Sequence, residues 1–164
     1  MNKSMLILIF VAIFFGVLFW NFGGRDIQDD LPYYVKSITT RTTTVAIRTN
    51  IISAEIAETD SSRYKGLSGR DSVHQDRGML FVFDEKDIHS ITMRDMNIGI
   101  DILWIDEGKI VYVVDNAVPP EEGQEPETYT PDIESIYVLE VSENYIETTG
   151  AAVGDFVAIG LTQE

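Results

Sequence analysis

The chain has 164 residues and no cysteine, which excludes disulfide bonds, thiolate metal sites and cysteine nucleophiles. Its hydrophobic content of 45% excludes a fully disordered chain, and its length fits one domain with appendages. The net charge of −15 leaves no basic stripe to bind phosphates, so nucleic acid is not an expected partner.

The first 23 residues are expected to anchor the chain in a membrane. The run from Met5 to Trp20 is uncharged, and extended through residue 22 it just spans about 30 Å of hydrocarbon as a helix. Lys3 precedes the run and acidic residues follow it, so the N-terminus is placed in the cytoplasm and the rest outside. A cleaved signal peptide is the alternative, but the residues after Phe19 match its small-residue cleavage pattern poorly.

Residues 24–44 are interpreted as a polar tether, and the folded domain is expected over residues 45–160. Thr49-Asn50 and Glu107-Gly108 have the composition of tight hairpin turns between strands. Residues 116–132 are rich in proline and glutamate and are predicted to form a long surface loop. Runs of β-branched and aromatic residues predict strands at 45–48, 51–57, 78–83, 89–93, 100–106, 109–115, 136–141 and 156–159.

Two short helical segments interrupt the strands. The stretch from Thr59 to Ser62 has helix-capping residues, and Gly66 is expected to end the single turn that follows. Ser142 is expected to cap a second helix that ends before Gly150. The predicted fold is therefore mainly β: a small antiparallel β-barrel or closed sandwich with two short helices, preceded by one transmembrane helix.

Six short motifs occur in an order and spacing that resembles the family called domain of unknown function 192 (DUF192). The resemblance spans about residues 45–160 and implies a compact β fold, often exported, without an assigned substrate or mechanism. The motifs are Ala57-x-Thr59 with Arg63-x-x-Gly66-Leu67-x-x-Arg70, then residues 78–83, His89-x-x-x-Met93-Arg94-x-Met96, residues 101–106, residues 137–141 and Val153-Gly154-Asp155.

Arginines near the first helix are the main candidates for ligand binding. Arg63 and Arg70 flank Gly66-Leu67 in a strongly acidic chain, and guanidinium groups suit carboxylates or phosphates. One interpretation is a pocket for a small anion or sugar, formed by Arg63, Arg70, Met93, Arg94 and Asp101. The other is that the arginines pair internally with acids such as Asp101 or Asp106.

Asp101 and Asp106 flank the apolar run between them, and they are weak candidates for a catalytic acid and base. Soft and imidazole ligands for a metal are weak candidates as well, because no diagnostic spacing joins them. Met79 is expected in the core instead. These weak metal candidates are His74, His89, Met93 and Met96. No cofactor is expected.

The sequence favours a non-enzymatic, extracytoplasmic module of the cell envelope that binds a ligand or assists another protein. One alternative is a carbohydrate-active hydrolase or lyase that uses Asp101 and Asp106. The other is a structural or assembly factor that binds an envelope protein through the acidic loop at residues 116–132.

Overall fold

The computed structural model describes residues 41–160, and the chain divides into two units of which the second begins at Arg41. The predicted anchor, the beginning of the tether and residues 161–164 lie outside the described part. Within residues 41–160, no helix has the length and apolarity that crossing a membrane requires. The strands are β1 Thr42–Ile47, β2 Asn50–Ala57, β3 Arg77–Asp87, β4 Ile91–Thr92, β5 Ile100–Asp106, β6 Lys109–Ala117, β7 Thr128–Tyr129, β8 Ser135–Ser142 and β9 Val157–Ile159; the helices are α1 Asp60–Lys65 and α2 Tyr145–Thr149.

Seven strands form one sheet in the order β6-β5-β8-β3-β2-β1-β9, and β4 pairs with β7 in a separate ribbon. The large sheet curls into a half-barrel, and its two edges meet at the bridge between Lys109 and Phe156, next to backbone hydrogen bonds from Val157 to Gly108 and from Ile110 to Asp155. The fold is therefore mainly β with two short helices, as predicted, but the sheet is a half-barrel instead of a closed barrel or sandwich.

The sheet is also not purely antiparallel, because β2 and β3 run parallel. The chain leaves the end of β2, passes through α1 and the loop that follows, and returns to start β3 beside the start of β2. A parallel pair requires such a crossover connection. The crossover brings α1 and its loop next to the central strands, and this placement creates the candidate site described below.

The predicted hairpin turn at Glu107-Gly108 is confirmed, whereas the turn predicted at Thr49-Asn50 lies one residue earlier, because Asn50 is the first residue of β2. The β5–β6 turn has positive φ at Glu107 (49°) and Gly108 (70°), which is the backbone that a two-residue hairpin favours. The β1–β2 turn lies at Arg48-Thr49, and β1 begins at Thr42, three residues before the predicted start of the domain. The predicted loop at 116–132 is interrupted by β7.

The first helix also begins and ends where its capping residues predict. Thr59 and Ser62 exchange side-chain and backbone hydrogen bonds in a capping box, and Gly66 with φ of 49° ends the turn. The second helix differs from the prediction at its start, because Ser142 is the last residue of β8 and Asn144 precedes the helix without a side-chain cap. Gly150 ends it as predicted.

Apolar side chains cover both faces of the sheet. Along β5, Leu103 and Ile105 belong to one buried cluster, while Ile102 and Trp104 belong to a second. The second cluster also includes Leu67 from the crossover loop, which covers that face. Strand β5 is consequently buried over its whole length. The middle strands thus lie between two apolar layers, where a charged side chain is costly unless it is paired.

Candidate functional site

Glu140 is an acidic residue in the middle of β8, one of the inner strands of the sheet. Its cross-strand neighbours are Met79 on β3 and Ile102 on β5. Because side chains alternate between faces along a strand, Glu140 shares its face with Val138 and with the second apolar cluster. The carboxyl group therefore lies in an apolar layer beneath the crossover loop.

The carboxyl group of Glu140 is deeply buried. The residue is 5% exposed, and its Oε2 has no hydrogen-bond partner among the described residues. Burial raises the pKa of Glu140 from 4.5 to about 8, although the positive charge of Arg70 opposes this shift. Glu140 is consequently an uncharged acid at neutral pH, with a proton that it is able to donate.

A cavity of about 210 Å³, here called the Glu140 cavity, lies between α1, the crossover loop and β4. Gly66 is part of its wall: a Cβ atom there would lie 3.3 Å from Cζ of Phe81 and 3.8 Å from Oε2 of Glu140. The glycine thus ends α1 and keeps the wall close to the carboxyl group. The lining residues are Arg63, Tyr64, Lys65, Gly66, Leu67, Ser68, Phe81, Ser90, Ile91, Thr92, Arg94, Met96 and Glu140.

Arg63 links α1 to β3 at the wall of the cavity. Its Nη1 donates to the carbonyl oxygens of Glu58 and Val82, each at 2.7 Å, and its Nη2 donates to Asp60 at 2.6 Å. The Asp60 side chain is fully exposed, so that ion pair adds little stability. The carbonyl bonds hold the guanidinium in place and leave its positive charge largely uncompensated by buried acids.

The guanidinium of Arg94 lies over the ring of Tyr64, with 3.8 Å between its Cζ and the ring centroid. Its Nη2 donates to the carbonyl oxygen of Tyr64 at 2.6 Å, and its Nε contacts exposed Asp95 at 3.3 Å. These two contacts use Nε and Nη2, and Nη1 has no hydrogen-bond partner among residues 41–160. Arg94 therefore presents a cation at the cavity, held by its contacts with Tyr64.

Arg70 lies next to the cavity and forms a bidentate salt bridge with Glu55 on β2, with both N–O distances at 2.7 Å. Its charge also acts on Glu140. The arginines therefore do form internal pairs, as one interpretation of the sequence expects, but with Glu55 and Asp60 instead of Asp101 or Asp106. Arg63 and Arg94, unlike Arg70, still line the Glu140 cavity, so both are positioned to contact a ligand there.

Asp101 and Asp106 lie at opposite ends of β5 and serve the fold. Asp101 is fully buried and accepts hydrogen bonds from the backbone N–H groups of Asn116 and Ile146. Burial raises its pKa, and these two bonds oppose that shift. Asp106 pairs with Lys86 at 2.5 Å. The two residues are five positions apart on one strand, so their Cα atoms are about 16 Å apart, too far for the two carboxylates to act on one glycosidic bond.

The weak metal candidates are dispersed. His74 pairs with Asp76 in an exposed loop, and His89 stacks on the ring of Phe83 at 3.5 Å. Met93 and Met96 are core residues of the second apolar cluster. In the part of the chain that the structure describes, no three His, Cys, Asp or Glu side chains are grouped to hold a metal ion.

A second concavity of about 280 Å³ lies between the start of β2 and α2. Its buried polar group is the hydroxyl of Tyr145, which has no hydrogen-bond partner among residues 41–160. A neutral phenol is cheaper to bury than a carboxyl group, and of the arginines and lysines none lines this space. The Glu140 cavity, with its cations and its orphaned acid, is the better candidate for a ligand site.

Of the residues that line the Glu140 cavity, the sequence singles out Arg63 and Arg94 as ligand candidates but not Glu140. The available signal is a single acidic residue inside the apolar run of residues 136–141. An apolar strand with one acidic residue is equally typical of a strand with one exposed face. The strand order that buries both faces of β8 is not visible in the sequence.

The comparisons with known proteins agree with the fold. The model of the family DUF192, described as an uncharacterized ACR, matches residues 41–159. No curated protein matches the chain. A crystal structure from Sinorhizobium meliloti 1021, described as a candidate transcription regulator, is 28% identical with a TM-score of 0.68 and covers 73% of this chain and 95% of its own. A protein of unknown function from Novosphingobium aromaticivorans DSM 12444 is 23% identical with a TM-score of 0.65 over 83% and 99% of the two chains.

Proposed function

This chain belongs to DUF192, a family of uncharacterized proteins, and we propose that it is a membrane-anchored, extracytoplasmic module that binds a small ligand in the Glu140 cavity. The observation that carries the proposal is the buried Oε2 of Glu140, which has no hydrogen-bond partner in the described part of the chain. A buried polar atom without a hydrogen-bond partner lowers the stability of the folded state by about 1 to 3 kcal/mol. Because this atom lies beside a cavity, we expect that its cost is retained for a function such as ligand binding.

The size of the cavity limits the ligand. Sites for drug-sized molecules hold about 300 to 1,000 Å³, and the Glu140 cavity, at about 210 Å³, is smaller. Its lining combines apolar side chains such as Leu67 and Phe81 with the cations Arg63 and Arg94. This composition supports a small anionic or sugar-like ligand. The cations would orient its few polar atoms, and the apolar side chains would enclose the rest of the molecule.

The hydrolase or lyase alternative receives less support, because Asp101 and Asp106 are at opposite ends of one strand and each is engaged in a structural contact. The assembly-factor alternative depends on the loop at residues 116–132. Part of that loop belongs to the fold, since Glu127 accepts a hydrogen bond from the backbone of Met93 and β7 pairs with β4. Its exposed acids alone indicate no particular partner.

Transcription regulation, which the description of the Sinorhizobium protein suggests, is not carried over to this chain. A net charge of −15 opposes binding to nucleic acid, whose affinity for proteins depends on displacing counterions with basic residues. The proposed location outside the cytoplasm, which the charge pattern around residues 5–22 supports, also separates the domain from DNA.

A thermal-shift screen of the full-length chain tests the proposal. The screen contains short carboxylic acids, sugars, sugar acids and divalent metals. A ligand present at about one hundred times its Kd stabilises the folded state by about 2.7 kcal/mol, which a melting curve resolves easily.

Two tryptophan variants then locate the site. Ser90→Trp fills the Glu140 cavity from its rim and should abolish the shift that a hit produces, whereas Thr148→Trp fills the second concavity and should leave the shift intact. The reverse pattern would move the site to the second concavity, and a screen without any hit would reject the ligand-binding function.

A further inference from the structure

We propose that the Glu140 cavity takes a small monocarboxylate with a short apolar body, and that Glu140, in its acid form, donates a hydrogen bond to the ligand's carboxylate. This inference rests on the proposed function and adds the chemical class of the ligand and the protonation state in which it is bound. Three features of the described residues lead to it: the charges around the cavity, the chemistry of Glu140, and the engagement of the serine hydroxyls in the walls.

The charges around the cavity are mainly positive. Arg63, Lys65 and Arg94 line it, and Glu140 is the single acid in that lining. A concentration of cations is unusual in a chain with a net charge of −15. An amine ligand would meet like charges at the walls, whereas a monoanion would meet opposite ones, because low dielectric surroundings strengthen both interactions.

The groups that face Glu140 do not provide it with a dedicated counter-ion. Arg70, on the crossover loop, is held by both carboxylate oxygens of Glu55. From the two flanking strands, Met79 and Ile102 bring no charge. The remaining charged groups are Arg63 and Lys65 on α1 and Arg94 after β4, which line the same cavity.

An acid in this position is complementary to a carboxylate. The O–H of protonated Glu140 donates to one oxygen of the ligand, and the proton stays on Glu140, so that the pair carries one negative charge in total. Two ionised carboxylates at that distance would repel each other. At a pH where free Glu140 is ionised, the ligand must therefore bind together with one proton from the solvent.

The walls favour one carboxylate over a phosphate group. The hydroxyl of Ser68 already donates to the carbonyl oxygen of Arg94, and that of Ser90 contacts the hydroxyl of Thr130. A phosphate dianion needs donors for three oxygens, which such occupied hydroxyls do not supply. Buried Leu67, Phe81 and Met96 offer an apolar surface to a short aliphatic body. A volume of about 210 Å³, below that of sites for drug-sized molecules, suits a ligand of a few carbons.

Isothermal titration calorimetry of the full-length chain in detergent micelles tests this inference with three four-carbon probes: butyrate, butyramide and butylamine. Butyrate should bind at pH 6.5, and the neutral and cationic probes should bind at least tenfold more weakly. At pH 9, titrations in buffers of different ionisation enthalpy should show the uptake of about one proton for each butyrate bound, and affinity should fall about tenfold per pH unit above pH 8.

Variants separate a role in binding from a role in the fold. Glu140→Gln keeps a donor but cannot ionise, so butyrate should still bind, without proton uptake and with constant affinity across this pH range. Arg94→Gln should weaken butyrate binding about tenfold or more, because a charge-assisted hydrogen bond is lost. Arg77→Gln removes an exposed arginine outside the cavity and should leave binding unchanged.

Each other result decides against the inference. Preferential binding of butylamine would make the site a cation site, and equal binding of butyramide would remove the role of charge. Proton uptake that persists in Glu140→Gln would assign the proton to another group. If none of the probes binds while the wider screen finds a ligand in the cavity, the inference fails and the proposed function stands. If the screen is also flat, both fail.

Discussion

Replacing Glu140 with glutamine should make the folded domain more stable at neutral and alkaline pH. In the folded state, burial keeps Glu140 protonated up to about pH 8, whereas in the unfolded chain it ionises near pH 4.5. The folded state therefore binds one more proton at Glu140 between these values, and the contribution of Glu140 to stability falls as the pH rises from about 4.5 to about 8. Glutamine has a similar shape and does not titrate, so its variant escapes this loss.

The magnitude follows from the two pKa values. One unit of pKa difference corresponds to about 1.4 kcal/mol, so the stability difference between Glu140→Gln and the wild type should grow by about that amount for each pH unit between 5 and 8. Between pH 5 and pH 7 the difference should therefore widen by about 3 kcal/mol, and above pH 8 it should stay constant. Other titrating groups, including Asp101, contribute equally to both proteins and cancel in the difference.

Urea unfolding of chains that begin at Arg41, followed by circular dichroism at pH 5, 6, 7, 8 and 9, measures this difference. Glu147→Gln is the matched control, because it makes the same chemical change at an exposed position on α2 and should give no difference that depends on pH. Parallel pH profiles for the wild type and Glu140→Gln would show that Glu140 ionises normally in the folded state, which would refute this explanation.

Three further outcomes are expected. Asp101→Ala should lower the free energy of unfolding by about 2 to 4 kcal/mol in urea titrations, because two buried backbone N–H groups lose their acceptor; a loss below 0.5 kcal/mol would contradict that role. Gly78→Ala should destabilise the domain by about 1 to 3 kcal/mol, since its Cβ would lie 2.5 Å from the carbonyl oxygen of Glu140, whereas Gly160→Ala should be nearly neutral in the same assay, with its nearest contact at 3.5 Å. Equal effects of the two alanines would refute the packing argument. The full-length chain should sediment with membranes after a high-salt wash and dissolve in detergent, and deletion of residues 5–22 should release it; a soluble full-length chain would contradict the anchor.

Local signals in the sequence predicted much of the fold. The hairpin at Glu107-Gly108 and the capped turn from Thr59 to Gly66 depend on residues that are neighbours in the chain. Both features can therefore be predicted from the sequence without the structure. Residues 84–87 are all charged, a composition typical of a turn, but β3 continues through them to Asp87. Their side chains are exposed there, and Lys86 finds a partner in Asp106, so charge does not end the strand.

Long-range pairing could not be predicted in the same way. The parallel pairing of β2 with β3 and the position of β8 between β3 and β5 depend on contacts between distant segments. These pairings decide that Glu140 faces an apolar layer and that Arg70 pairs with Glu55 instead of Asp101 or Asp106. The arginines of the candidate site stand out in the sequence because the chain is strongly acidic. The raised pKa of Glu140, in contrast, results from burial, which only the structure shows.

Carbon-13 NMR of the carboxyl groups of labelled glutamates would report the charge of Glu140 itself. The resonance is assigned by its loss in Glu140→Gln, and its shift is followed from pH 4 to pH 10 with and without butyrate. The free protein should show a pKa near 8, and saturating butyrate should raise it further, because the bound carboxylate favours the protonated form. A pKa near 4.5 in the free protein, or one that butyrate leaves unchanged, would contradict an uncharged acid that receives the ligand.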